Sequence, residues 1–138
     1  LYDCYSDAFR IVLGGVEPYS IRIVEPNASA SLTTPIALDR VALRVCTARV
    51  SEDEKAPEKA VLYHPVKKPD SKWKRETAQG LYDVLLRRSA TRAEIERLTR
   101  FYNSVAAEHK GQPAQQAARD WAILGCFALA TSLESVFY

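Results

Sequence analysis

The sequence predicts an α+β domain: an antiparallel sheet of about four strands followed by three helices packed on one face. Three observations lead there. Before Lys67, short segments alternate apolar and polar residues, the period of a half-buried strand. From Glu76 onward, apolar residues recur at three- and four-residue spacing, the period of a helix. Between these halves lies a basic run, Lys67-Lys68-Pro69-Asp70-Ser71-Lys72-Trp73-Lys74-Arg75. At 138 residues the chain is one domain by size, 1–138. Residues 1–66 are mainly strands, 67–75 a basic connector and 76–138 mainly helices.

The first strand is read at Phe9-Arg10-Ile11-Val12-Leu13, punctuated by Gly14-Gly15. The second, Tyr19-Ser20-Ile21-Arg22-Ile23-Val24, alternates clearly between Pro18 and Pro26. A third pattern runs from Val41 to Cys46 and on toward Val50. A fourth, Ala60 to Tyr63, should stop at His64-Pro65, because proline has no N–H for a ladder. In the second half, Leu81, Val84, Leu85 and Arg88 share one helical stripe. Thr91-Arg92-Ala93-Glu94 fits a capping box, in which threonine and glutamate satisfy free backbone N–H groups at a helix start. The helix it opens carries Ile95, Leu98, Tyr102 and Val105 and should end near Gly111. Pro113 suits the first turn of a last helix. That helix, through Trp121 to Ala130, is apolar all round and must be covered on most sides, by its own domain or by a second subunit. The expected core is Ile21, Ile23, Leu43, Val45, Leu62, Leu81, Leu85, Ile95, Leu98, Tyr102, Trp121, Leu124 and Phe127.

No apolar run approaches the ~20 residues that span a bilayer, so no membrane is expected. No secretory signal is visible at the start, and a chain opening at Leu1 reads as a fragment or a processed product. Three cysteines, Cys4, Cys46 and Cys126, are too few and odd in number for a disulfide framework. They point to the cytoplasm or another reducing compartment. There is no phosphate-binding glycine loop, dinucleotide fingerprint or serine elbow, and histidine and cysteine are not spaced as zinc ligands. No cofactor, metal or catalytic set is therefore expected.

The net charge of +2 conceals an asymmetry. Residues 67–100 carry ten basic side chains against five acidic ones, which makes a local positive field. Lys67, Lys68, Lys72, Lys74 and Arg75 are the candidates for holding phosphates, with Trp73 among them as a stacking surface for a base. The alternative reading is a solvated loop whose tryptophan packs on the core. If Ile21, Ile23, Leu43 and Val45 face inward, Arg22 and Arg44 point to the open side of the sheet and extend this surface, along with Arg10 and Arg40. The arginines at 87, 88, 92, 97 and 100 fit an ordinary charged surface, paired with Asp83, Glu94 and Glu96.

The function these features favour is a non-enzymatic nucleic-acid-binding protein, for RNA or single-stranded DNA, working as a homo-oligomer. Trp121, Leu124, Phe127 and Phe137 are the candidate oligomer interface, since a large apolar patch usually marks one. Two readings compete. One is a structural or scaffolding subunit whose positive charge meets an acidic protein. The other is a small enzyme using Cys46 as nucleophile with His64 or His109 as base.

Overall fold

A computed structural model describes residues 34–132 and Glu134. Four helices account for most of them: α1 at Thr34–Lys55, α2 at Ser71–Leu85, α3 at Arg92–Glu108 and α4 at Ala114–Ala130. A short 3-10 turn at Pro57–Lys59 follows α1. Among the described residues there is no strand, so the α+β class is corrected to an all-helical one. The strands read at 9–13 and 19–24, with Arg10, Ile21, Arg22 and Ile23, lie outside the described residues, as do Cys4 and Phe137.

The largest correction is α1. Val41, Leu43 and Val45 do alternate, but that alternation is not what the fold buries. Leu43 and Val45 are exposed, whereas Ala42, Cys46, Val50 and Asp53 are buried at helical spacing. Ala42 and Cys46, the inward residues within the alternating stretch, are small, and its larger Leu43 and Val45 are outside, so the period-two pattern captured the wrong face. Arg40 and Arg44 are exposed one helical turn apart on this helix, rather than on a sheet.

The segment Ala60 to Tyr63 forms no strand and bends at Val61 and Leu62. The N–H groups of residues 61–63 go instead to one buried carboxylate. Asp53 Oδ2 accepts from the N–H of Leu62 at 2.8 Å and of Tyr63 at 3.0 Å, and Oδ1 accepts from Val61 at 3.1 Å. Arg49, one turn earlier on α1, donates to the same carboxylate through Nε at 2.8 Å. Burial pushes the Asp53 carboxyl up, but the guanidinium and the three N–H groups outweigh it and hold the pKa below its usual value. One side chain thus replaces a ladder and straps residues 61–63 to the end of α1.

The basic connector is shorter than its composition implies. Asp70 caps α2, its carboxylate accepting the Trp73 N–H at 2.7 Å, so residues 71–75 already belong to the helix. Arg87, with φ of 55°, follows the end of α2 in the left-handed region. The capping box at Thr91 and Glu94 is present as expected, and Gly111, with φ of 85°, follows the end of α3.

Helix α4 is the centre of the fold, with α1, α2 and α3 each packed against it. Cys46 meets Cys126, while Glu54 and Ser51 meet Arg119, so α1 runs antiparallel to α4. Trp73 touches Trp121 and Leu81 reaches Gly125, so α2 runs parallel to α4. Tyr102 stacks edge-on against Trp121 and Leu98 approaches Gly125, so α3 is antiparallel. The small residues are what permit this crowding: a Cβ on Gly125 would sit 3.2 Å from Leu81 Cδ1. Trp121 is fully buried, and its indole N–H donates to the Leu98 carbonyl at 2.9 Å. Of the expected core, Leu62, Leu81, Leu98, Tyr102 and Trp121 are buried, and Leu85, Ile95 and Phe127 pack partly buried against them. Leu124 is exposed.

Cys46 and Cys126 are joined by a disulfide, with Cα atoms 5.8 Å apart and a sequence separation of 80. An odd, sparse cysteine set, too small for a disulfide framework, therefore conceals one bridge. Spacing alone could not reveal it, because the partners meet only through the α1–α4 packing.

Between α2 and α3, Arg88 is clamped by two carboxylates. It donates to Glu94 through Nη1 at 3.0 Å and Nη2 at 2.8 Å, and to Glu134 through Nη2 at 2.8 Å. Arg88 and the Thr91 backbone N–H hold the Glu94 carboxyl down at about 2, against an ordinary 4.5. A carboxyl with a depressed folded pKa gives stability that is complete above its unfolded value and is lost on protonation. Acid unfolding should therefore begin below about pH 4.5 and deepen toward pH 2, as the circular-dichroism signal in a pH series will show. In Glu94→Gln the protein should be weaker at neutral pH but lose less on acidification over that window. An unchanged acid profile in the variant would contradict this assignment.

Candidate nucleic-acid interface

The five cations of the basic segment sit on two kinds of backbone. Lys67 and Lys68 are exposed on the short link that follows the Asp53-bound strap. Lys72, Lys74 and Arg75 lie in the first turns of α2, whose N-terminus carries the positive end of the helix dipole. Two carboxylates lie in or beside this run. Asp70 is occupied in capping the helix, and Glu76 pairs with Lys72 at 3.8 Å with both side chains largely exposed, a contact of small energy. Lys74 is half-buried and lays its ammonium 4.3 Å from the centre of the Tyr102 ring. Lys67, Lys68, Lys72 and Arg75 thus remain open to solvent.

Trp73 has another role from the one its place in the run implies. Its ring lies 5.6 Å from Trp121 and 6.0 Å from Tyr63, and its indole N–H donates to the His64 carbonyl at 3.0 Å. The tryptophan therefore anchors α2 to the core and to the strap. It is not a free stacking platform; the packed alternative is the one realised. The signal for this was in the helix period, since Trp73, Thr77 and Leu81 recur at four-residue spacing on the inner face of α2.

Arg44 stands on a different helix from the basic run. It is exposed on α1, which packs on α4, whereas the basic run belongs to α2, which packs on α4 and α3. The arginine-bearing sheet face is accordingly withdrawn, and Arg22 lies outside the described residues. The candidate interface residues of the last helix separate as well. Trp121 is interior, Phe127 is half-buried against the core and Leu124 is 38% exposed. The all-round apolar character of α4 is accounted for by three helices of its own chain.

The chemistry considered for Cys46 is closed by its bond to Cys126, since a disulfide sulfur is not a free thiolate nucleophile. His64 is exposed on the strap. His109 ends α3, with Nδ1 at 2.9 Å from Gln112 Oε1 and Nε2 at 3.2 Å from Asp120 Oδ2. Asp120 in turn meets Arg119, which bonds Glu54 at 3.0 Å. These contacts tie the loop before α4 to the end of α1, and composition gave no sign of them. Among the described residues no group of three or more His, Cys, Asp or Glu is placed to hold a metal ion. Also among the described residues, no helix is long and apolar enough to cross a membrane.

No protein-family description, characterised protein or solved structure matches this chain.

Proposed function

We propose that this chain is a non-enzymatic binder of single-stranded nucleic acid, RNA or DNA, that grips phosphates through Lys67, Lys68, Lys72, Lys74 and Arg75. The observation that supports this most is the concentration of five cations over nine residues, four of them exposed, with one carboxylate tied up as a helix cap. Such a field attracts polyanions and makes affinity depend steeply on salt. Base recognition by Trp73 is no part of the proposal, because its ring is packed inward.

With that aromatic turned inward, a second reading gains ground. A surface that offers charge alone serves an acidic protein as well as a phosphate chain, which is the scaffolding role. Either role extends to a homo-oligomer, for which Leu124 on α4 supplies an exposed apolar side chain.

The test is fluorescence anisotropy with labelled (dT)10 and (U)10 over a salt series, with light scattering to read mass. Lys67→Glu, Lys68→Glu and Lys72→Glu together should weaken binding and flatten the salt slope by about 0.7 for each phosphate no longer held. Unchanged affinity and slope would overturn the assignment. Absence of oligonucleotide binding at low salt, with retained binding to polyglutamate, would transfer the surface to the acidic-protein reading.

A further inference from the structure

Alongside the basic run, α2 and α3 leave an open groove of about 920 Å³. Arg75 lines it from α2, and Arg92 and Arg100 line it from α3. Arg92 is neutralised in place by Glu96, whose carboxylate accepts its Nε at 2.9 Å. Arg75 and Arg100 have no acidic partner among the described residues. Glu96 lines the groove as well, but its carboxylate is engaged by Arg92, so Arg75 and Arg100 present two guanidiniums without carboxylate partners, a positive field that an anion in the groove would neutralise. The lining also holds a half-buried apolar side chain, Ile95, and the hydroxyl-bearing Thr99.

We propose that this groove is a phosphodiester track, the place where a short stretch of a single strand lies when the chain binds nucleic acid; the inference rests on the function proposed above. Arg75 and Arg100 take successive phosphates in forked hydrogen bonds, which guanidinium geometry suits better than ammonium. Thr99 offers a hydroxyl to a phosphate oxygen. Ile95 presents the apolar surface for a sugar or base that Trp73 does not supply. The shape argues for a chain rather than a small phosphorylated molecule. Small-ligand sites enclose most of their occupant, whereas this groove is open along the two helices, as channels that track a nucleic-acid backbone are. Its charge argues against a divalent cation and against an apolar peptide. Arg75 belongs to both surfaces, so Lys67, Lys68 and Lys72 form the approach and the groove forms the seat.

The experiment compares three proteins for binding labelled (dT)10 and (U)10: wild type, Arg75→Glu with Arg100→Glu, and Lys67→Glu with Lys68→Glu. All altered side chains are exposed, and melting curves verify that the fold is kept; Arg75→Gln with Arg100→Gln provides a milder pair should charge reversal destabilise the protein. The groove pair is expected to lose about tenfold or more in affinity at low salt and about 1.4 in salt slope, the share of two phosphates on a single strand. Inorganic pyrophosphate should compete with oligonucleotide on wild type and much less on the groove pair. If the groove pair binds like wild type while the lysine pair is weakened, the track is wrong and the function proposed above stands. If wild type itself binds neither oligonucleotide, both fall.

Discussion

Replacing Asp53 with alanine is expected to cost about 4 kcal/mol of stability, because a buried charged acceptor is removed from beneath four donors. The carboxylate is fully buried, and it accepts the N–H groups of Val61, Leu62 and Tyr63 together. Alanine leaves these donors facing an apolar space, and each unsatisfied buried group costs roughly 1–3 kcal/mol, reduced where the strap shifts to reach water. Arg49 contributes less. Its side chain is 38% exposed, so Arg49→Ala should cost about 1 kcal/mol, since solvent screens its pair with Asp53. Asp53→Asn is the sharper control. It keeps one acceptor oxygen but turns an NH2 toward backbone N–H groups, so the cost should fall between the two, at about 2–3 kcal/mol. Urea unfolding of the three variants reads these values. Equal small effects in all three would mean that the strap is held by its apolar side chains instead. Hydrogen exchange supplies the local check: Asp53→Ala should release protection at residues 61–63 well before the helices open.

The consequence of that strap reaches the candidate interface. Tyr63 and the His64 carbonyl are two of the contacts that hold Trp73, and Trp73 fixes the start of α2. The cations at 67, 68, 72 and 75 are therefore presented by a segment whose anchor lies on a different helix. Loosening Asp53 should broaden that presentation without touching a single positive charge.

What the sequence revealed follows a physical rule. Local signals with a local partner were readable. Thr91 and Glu94 form their box within one turn, Gly111 takes its left-handed conformation beyond the end of α3, and Leu81 and Leu98 recur on stripes that do face α4. The basic run was equally plain as composition. Signals that depend on a distant partner were hidden. Cys46 reads as a strand cysteine until α4 lies beside it. Trp73 reads as a free ring among lysines until Trp121 and Tyr63 are placed. Asp53 sits in an acidic stretch where nothing marks it as buried. The error in α1 has a further cause: its interior positions hold Ala42 and Cys46, small enough that the exposed Leu43 and Val45 dominate any reading by hydrophobicity. The groove between α2 and α3 was invisible for the same reason, since Arg75 and Arg100 come to line one groove only when the two helices pack.

Removing the Cys46–Cys126 bridge is expected to be at least as costly as Asp53→Ala. The bond closes a loop with 80 residues of sequence separation, and in the chain-entropy account a loop of that length contributes ~4.5 kcal/mol by restricting the unfolded chain. Cys46→Ala with Cys126→Ala should therefore lower the melting temperature by on the order of 15 °C. Because the effect acts on the unfolded state, the folded helices should be nearly unchanged, with the same circular-dichroism spectrum before melting. Wild type unfolded in the presence of reductant should match the double variant, and a close match would assign the effect to the cross-link rather than to the altered side chains. Both cysteines are only 2% exposed, so reductant should reach the sulfurs through opening of the α1–α4 contact. At native temperatures the bond should then break slowly, at a rate that rises with urea as the opened population grows. Fast reduction in folded protein, with the helices intact, would place the sulfurs nearer solvent than they stand here. The outcome also decides how the protein fares by compartment. In the reducing surroundings read from the sparse cysteines both sulfurs would be thiols, and the fold of the described residues would rest on helix packing and on the polar contacts of Asp53 and Arg88, without a covalent tie; in oxidising surroundings the bridge is kept and the margin is several kcal/mol wider.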